Sequence, residues 1–207
     1  MRLRSFSVFL LLASADVSAG DEWETIRRRN GVEVQRREVA GSGIYEFRSS
    51  CTINTTVQRL YPILADISQC TNWVDDCLLS EVLSDPGDTQ LVGRIGIKVP
   101  WPFRDRDVVF VAAFEDRPDG DLVVSFEGTP DYLRRQRGYA RVKTFRSRWE
   151  VQALEGRAVQ VDCYFFIDPG GWLPNWVVNW AMKQGPYNSI RNLRRLVAKR
   201  APSRSAS

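Results

Sequence analysis

Apolar and polar residues alternate through the middle of this chain, and its end follows a spacing of three and four. From Ile44 to Ile53 the residues Tyr45, Phe47, Cys51 and Ile53 fall on one face at a period of two, which predicts a strand. Val32 to Val39 is a second strand, joined to the first through Gly41-Ser42-Gly43. Leu78 to Leu83, Leu91 to Val99, Asp107 to Phe114, Leu122 to Phe126, Gly138 to Val151 and Ala158 to Ile167 continue the pattern. Turn formers separate several of them, namely Asp85-Pro86-Gly87, Arg117-Pro118-Asp119-Gly120 and Glu155-Gly156. Thr129 to Gln136 reads as a polar connection, and the long strand after it is expected to bend near Ser147.

Four segments read as helical. Glu22 to Arg29 is predicted as a short first helix stopped at Asn30-Gly31. Asn54-Thr55-Thr56 caps a helix carrying Val57, Leu60, Ile63 and Leu64, with Pro62 bending it, and a second short piece covers Ile67 to Trp73. Leu173 to Lys199 places Trp176, Val177, Trp180, Ala181, Tyr187, Ile190, Leu193 and Val197 at amphipathic spacing, with a kink expected at Gly185-Pro186. The predicted class is therefore α+β: two strands, short helices, about six more antiparallel strands, and one long C-terminal helix. A long curved sheet cannot fill its concave side with its own side chains. The last helix must lie across it, and the space between becomes an apolar tunnel.

The N-terminus adds a destination. Arg2 and Arg4 precede an apolar run from Phe6 to Ala15, and Val17-Ser18-Ala19 supplies the small residues of a cleavage site, so residues 1–19 read as a signal peptide. The run is about half the roughly 20 residues that span a bilayer. The expected organisation is then a single domain over residues 20–200 and a polar, disordered tail over 201–207, in a periplasmic or secreted protein. Losing Arg2, Arg4 and Asp16 lowers the net charge from +4 by one. Cations and anions are mixed along the chain rather than gathered in the stripe a nucleic-acid binder uses, so no nucleic-acid partner is expected. The exception is the C-terminal group Arg191, Arg194, Arg195, Lys199 and Arg200, which suits either a solvated helix end or anionic lipid head groups.

Four cysteines entering an oxidising compartment tend to pair. Four cysteines allow three connectivities, which sequence alone does not decide; the expected one joins Cys70 with Cys77 in a small loop around Trp73, leaving Cys51 and Cys163 as a second bridge or as buried thiols. There is no histidine and no cysteine pair at zinc-site spacing, so no metal or other cofactor is expected.

Several motifs in order resemble one known family. Gly31-Val32 opens a strand, Asp66 precedes Trp73 in the helical insert, Arg106-Asp107-Val108-Val109 starts a strand, and Asp168-Pro169-Gly170-Gly171-Trp172-Leu173-Pro174 leads into Trp176-Val177-Val178-Asn179. Together they are similar to the START, or steroidogenic-acute-regulatory-protein-related lipid transfer, domain, from Trp23 to about Val197. The resemblance implies a helix-grip fold, also called Bet v 1-like, with a lipid inside. It implies Arg106 as the polar anchor in the cavity and the stretch from Trp176 to Tyr187 as its cover, with Trp73, Val177 and Trp180 among the lipid-contacting residues. Trp176 and Trp180 are expected to be core while the cover is closed, and Trp101 to stand at the tunnel mouth or fill the core. Some members pair the arginine with a carboxylate on the preceding strand, but Thr89 to Lys98 contains no acid. This departure leaves room for a charged head group.

Catalysis is not expected. Without histidine the commonest general base is missing and no Ser-His-Asp or Cys-His arrangement can form. Asp162 interrupts an apolar strand, but Val159, Val161, Cys163, Phe165 and Ile167 put it on the opposite face, where it should meet solvent. The expected function is passive carriage of one lipid (phospholipid, fatty acid or sterol-like) by a monomer that touches membranes transiently. An aromatase/cyclase-like enzyme or a ligand-free interaction module on the same fold are the alternatives.

Overall fold

The computed structural model describes residues 22–87 and 89–200. The expected signal peptide and the 201–207 tail lie outside the described residues. One antiparallel sheet wraps around the C-terminal helices. Its strands are β1 (Glu24–Arg29), β2 (Val32–Glu38), β3 (Tyr45–Ile53), β4 (Cys77–Gly87), β5 (Gln90–Ile97), β6 (Arg106–Asp116), β7 (Leu122–Gly128), β8 (Ala140–Arg141), β9 (Thr144–Leu154) and β10 (Ala158–Asp168). They lie in the order β1-β2-β3-β10-β9-β7-β6-β5-β4, with the two-residue β8 pairing parallel to the start of β6. Between β3 and β4 sit α1 (Val57–Ala65), a 3-10 turn (Ile67–Gln69) and α2 (Cys70–Trp73). After β10 come α3 (Asn175–Met182) and α4 (Gly185–Arg200).

The first segment is a strand, not the expected helix. Glu24–Arg29 pairs antiparallel with β2, with a bulge between Thr25 and Arg27. Asn30 and Gly31, the expected helix stop, both adopt positive φ (52° and 69°), the two-residue turn whose twist matches a hairpin. Cross-strand pairs replace helical ones: Arg28 with Glu33 at 2.8 Å and Arg36 with Glu24 at 2.7 Å. Two further expectations are corrected. The strand from Gly138 does not bend at Ser147 but breaks at Val142-Lys143, whose amides bond Asp107 O (3.0 Å) and Asp168 O (3.0 Å) on two different neighbours. The last helix is interrupted rather than kinked, because the turn at Lys183-Gln184 ends α3 and Pro186 then falls in the first turn of α4, where its missing N–H costs nothing.

Side chains at alternate positions fill the concave side. Phe47, Cys51, Val124, Trp149, Val151, Val159, Val161 and Cys163 pack against Leu60, Ile63 and Leu64 of α1 and Ile190, Leu193 and Val197 of α4. A second cluster gathers Val108, Phe110, Phe145, Phe166, Ile167 and Val178 toward α3. The convex face is polar and cross-linked by charge pairs. Asp162 lies on that face as its alternation requires, yet it is buried rather than solvated, capped by Arg48 at 2.8 Å.

Candidate functional site

Period-two geometry decides what β6 sends inward. Arg106, Val108, Phe110 and Ala112 share one face, while Asp107 and Val109 share the other. Arg106 and Phe110 line a cavity of about 280 Å³ between the sheet and the helices. Its wall is apolar almost throughout: Ile95 and Ile97 of β5, Phe126 of β7, Phe145 and Trp149 of β9, Cys163, Phe165 and Ile167 of β10, Trp73 of α2, and Val177, Val178 and Ile190 from the covering helices. Asp76, Lys98, Pro100, Trp180 and Gln184 line it too while being exposed, so they border its mouth.

Arg106 is 5% exposed and makes no ion pair among the described residues. It donates to the carbonyls of Arg104 and Gly170, the latter at 3.5 Å, and its Nε is buried with no acceptor. Gly170 has φ +62°, a conformation open to glycine, and its carbonyl reaches Arg106 across the cavity rim. The two motifs singled out in the sequence therefore meet at this guanidinium. Burial, then the neighbouring Arg104 charge, push the Arg106 pKa down, with Asp105 only partly opposing them. Asp105 is occupied, accepting from the Val99 amide at 2.9 Å.

The adjacent acid serves the other face. Asp107, 1% exposed, accepts from Arg94 Nε at 3.2 Å and from Arg141 Nε and Nη2 at 3.1 and 2.9 Å. Arg141 also donates to the carbonyls of Pro130, Leu133 and Arg134, tying down the connection between β7 and β8. The carboxylate beside Arg106 is thus committed to two other arginines, on the far side of the sheet.

Trp73 meets Trp149 edge to face, centroids 5.4 Å apart. A Cys70–Cys77 disulfide ties α2 to β4 and closes the loop carrying Trp73. That loop also grips α4: the Asp75 amide donates to Ser189 Oγ at 3.0 Å, Asn188 donates to Asp75 at 2.8 Å, and Asn192 donates to the Trp73 carbonyl at 3.2 Å. Cys51 and Cys163 are free and buried. Burial pushes the Cys51 thiol up to about 12 and Cys163 higher still.

Of the residues named from sequence, Arg106, Trp73, Val177 and Trp180 line the cavity, as do Cys70 and Cys77; Trp101, Trp176 and Tyr187 do not. Tyr187 is 2% exposed, but its ring packs under the Arg27 guanidinium and its hydroxyl accepts from Asn30 at 3.0 Å, fixing α4 to the β1-β2 turn. Trp176 and Trp180 are not core in the closed state. They are 71% and 56% exposed, because Val177 and Val178 take the inner face of α3 and leave the indoles outside. Trp101 is 91% exposed and Trp172 84%, so Trp101 neither fills the core nor lines the cavity. Ser147 and the aromatic floor of Phe110, Phe126 and Phe145 went unrecognised in the sequence; strand alternation alone gave them a face but no depth.

Comparison with known proteins agrees with this geometry. An uncharacterized protein of Pseudomonas aeruginosa is 26% identical over 181 residues, covering 87% of this chain and 89% of that one. The phosphatidylcholine transfer protein of Mus musculus is 24% identical over 179 residues, covering 84% and 83%. The crystal structure of the STAR-related lipid transfer protein from Xanthomonas axonopodis superposes with a TM-score of 0.79 at 28% identity, over 86% of this chain and 99% of that one. The Zhui aromatase/cyclase of Streptomyces shares the fold alone, with a TM-score of 0.56 at 12% identity over 78% and 98%. The START domain model matches residues 10–202, and the chain belongs to that family.

Proposed function

We propose that this protein holds one lipid in the cavity between sheet and C-terminal helices and carries it between membranes, without catalysing a reaction on it. The observation that carries the reading is an apolar cavity with one buried guanidinium that no carboxylate among the described residues pairs with. A cation in such a place stabilises a bound anion or strong acceptor, so the ligand's polar end belongs at Arg106 as a phosphate, carboxylate or carbonyl oxygen. Its chains lie along Phe110, Phe145 and Trp149. Each buried CH₂ contributes about 0.8 kcal/mol, so a dozen of them hold a ligand firmly without any reactive group. Phosphatidylcholine transfer proteins among the relatives support the carrier over the cyclase reading.

None of the described helices is long and apolar enough to cross a membrane. The leader-like residues 1–19 and the disulfide support a carrier working in the periplasm or outside the cell; the proposal takes it to act as a monomer that meets membranes only to load and unload. The test is solvent extraction of natively purified protein from Gly20 onward, followed by mass spectrometry. One lipid per chain, reduced or changed in class by Arg106→Met, is the expected result. An empty extract with no uptake of offered phospholipid, fatty acid or sterol would overturn the proposal.

A further inference from the structure

Away from its mouth, the cavity carries a second polar side chain besides Arg106 that the protein leaves incompletely paired. Ser147 stands between Phe145 and Trp149 on the inner face of β9, and alternation turns its hydroxyl inward with them. It is 7% exposed, lines the cavity, and makes no hydrogen bond to an oxygen or nitrogen among the described residues. Its hydrogen-bonding neighbour is the Cys163 thiol of β10, a weak partner. Ser189, by contrast, is fully used by the Asp75 amide and the Gly185 carbonyl.

Two more polar groups around Cys163 are left over. Ser49 lies across from Cys163 in the β3-β10 register, is 1% exposed, and its Oγ has no partner among the described residues. Trp149 lies across from Cys163 on the other side, and Trp73 meets it edge to face with a buried Nε1 that has no acceptor. Buried hydroxyls and N–H groups without partners are costly, and folds seldom gather several of them in one place. This place is remote from the guanidinium. Arg106 begins β6, Ala112 of the same strand pairs with Phe126, and Phe126 pairs with Ser147. Measured along the sheet, the path covers roughly 20 Å of β6 and roughly 10 Å across the strands. A ligand held at Arg106 by its polar end therefore brings its chain, not its head, to Ser147.

We infer that Ser147 receives a hydroxyl on the ligand's chain, so that the lipid this protein takes best is a long-chain hydroxy fatty acid with its carboxylate on Arg106. This rests on the carrier reading and names the lipid class carried. One guanidinium balances one carboxylate. A cavity of about 280 Å³, at the lower end of the range for ligand pockets, suits a single chain. A plain chain would leave the Ser147 hydroxyl desolvated and unpaired, whereas a hydroxylated chain exchanges hydrogen bonds with it, and a site built that way discriminates against the analogue lacking the group.

Competition against a fluorescent fatty acid on delipidated protein tests this with two pairs of acids. Palmitic with ω-hydroxypalmitic acid places the hydroxyl at the chain end, and oleic with ricinoleic acid places it in mid-chain. In at least one pair the hydroxylated acid should bind at least about threefold tighter. Ser147→Ala should bring that ratio to unity, and Ser147→Thr, which keeps the hydroxyl, should preserve it. Arg106→Met should weaken both members of the pair alike. Equal affinities within both pairs overturn the inference, since Ser147 then has no use for a ligand hydroxyl. A preference that survives Ser147→Ala overturns it too, as does failure to bind any of the four acids. Lipid extracted from natively purified protein reads the carrier function separately: one lipid per chain together with equal affinities removes the hydroxyl site and keeps the carrier, while an empty extract with no uptake removes both.

Discussion

Arg106 and Asp107 are neighbours in one strand, both buried and both charged, and the structure assigns them opposite consequences when neutralised. Asp107 compensates Arg94 and Arg141, whose side chains are 8% and 3% exposed. Asp107→Asn leaves Arg141 without its counter-charge and Arg94 with only the half-exposed Glu81 at 3.1 Å, and breaking a buried pair in this way costs about 3–5 kcal/mol. For a domain of this length each kcal/mol moves Tm by about 2–4 °C, so a fall of roughly 6–20 °C is expected. Arg106→Met removes one charge-assisted bond to the Arg104 carbonyl, about 1.5–3 kcal/mol, and a weak one to Gly170 at 3.5 Å, but also removes a buried charged donor without an acceptor, whose desolvation costs about 1–3 kcal/mol or more. The two nearly cancel, and Tm of the delipidated protein should stay within about 4 °C of the parent. Thermal unfolding by circular dichroism on stripped protein, with lipid content measured separately on unstripped protein, checks both. If Arg106→Met melts as far below the parent as Asp107→Asn, Arg106 is a structural cation and the reasoning that makes it a ligand anchor fails.

Three further outcomes are expected. Reducing the Cys70–Cys77 bridge opens an eight-residue loop, worth about 2.5 kcal/mol of unfolded-chain entropy, so melting with and without reductant should differ by about 5–10 °C; equal curves would show that the bridge does not constrain the unfolded chain. Cys51 and Cys163, both pushed up by burial, should resist iodoacetamide at pH 8 in the native protein and react within minutes in denaturant, as mass spectrometry of the adducts would show. Asp76 has a raised pKa, first through burial and then through Asp75. A carboxyl raised on folding favours the folded state while protonated and opposes it as pH climbs through the folded value. Asp76→Asn, which suits the positive φ of 58° there, should therefore raise Tm at pH 7 and leave it unchanged below the ordinary aspartate range, and equal gains at both pH values would contradict this.

Local patterns in the sequence were enough for most strands from β2 onward and for the amphipathic α4, but not for the break between β8 and β9, and they favoured the Cys70–Cys77 pairing without excluding the other two connectivities. Side-chain alternation is a property of the backbone, and a strand with one buried face must display it. Even the hairpin at Asn30-Gly31 was written there, since that pair is a strong two-residue turn former; the cluster of arginines and glutamates beside it hid the strand because charge pairs serve a helix face and a cross-strand ladder equally well. Alternation likewise implied that Arg106 and Asp107 point opposite ways. It could not say that Asp107 is consumed by Arg94 and Arg141, which come from β5 and β8 at separations of 13 and 34 residues. Nor could periodicity tell that the tryptophans of α3 face outward: Trp176, Val177 and Trp180 share an amphipathic spacing, and which of them is covered depends on where the sheet lies relative to the helix. The sequence by itself determined which segments extend or coil and which faces are apolar, because those follow from bonds between near neighbours. Only the tertiary structure decided which apolar face is sealed, which is left at the surface, and which charge is left without a partner, because those outcomes depend on contacts between residues far apart in the chain.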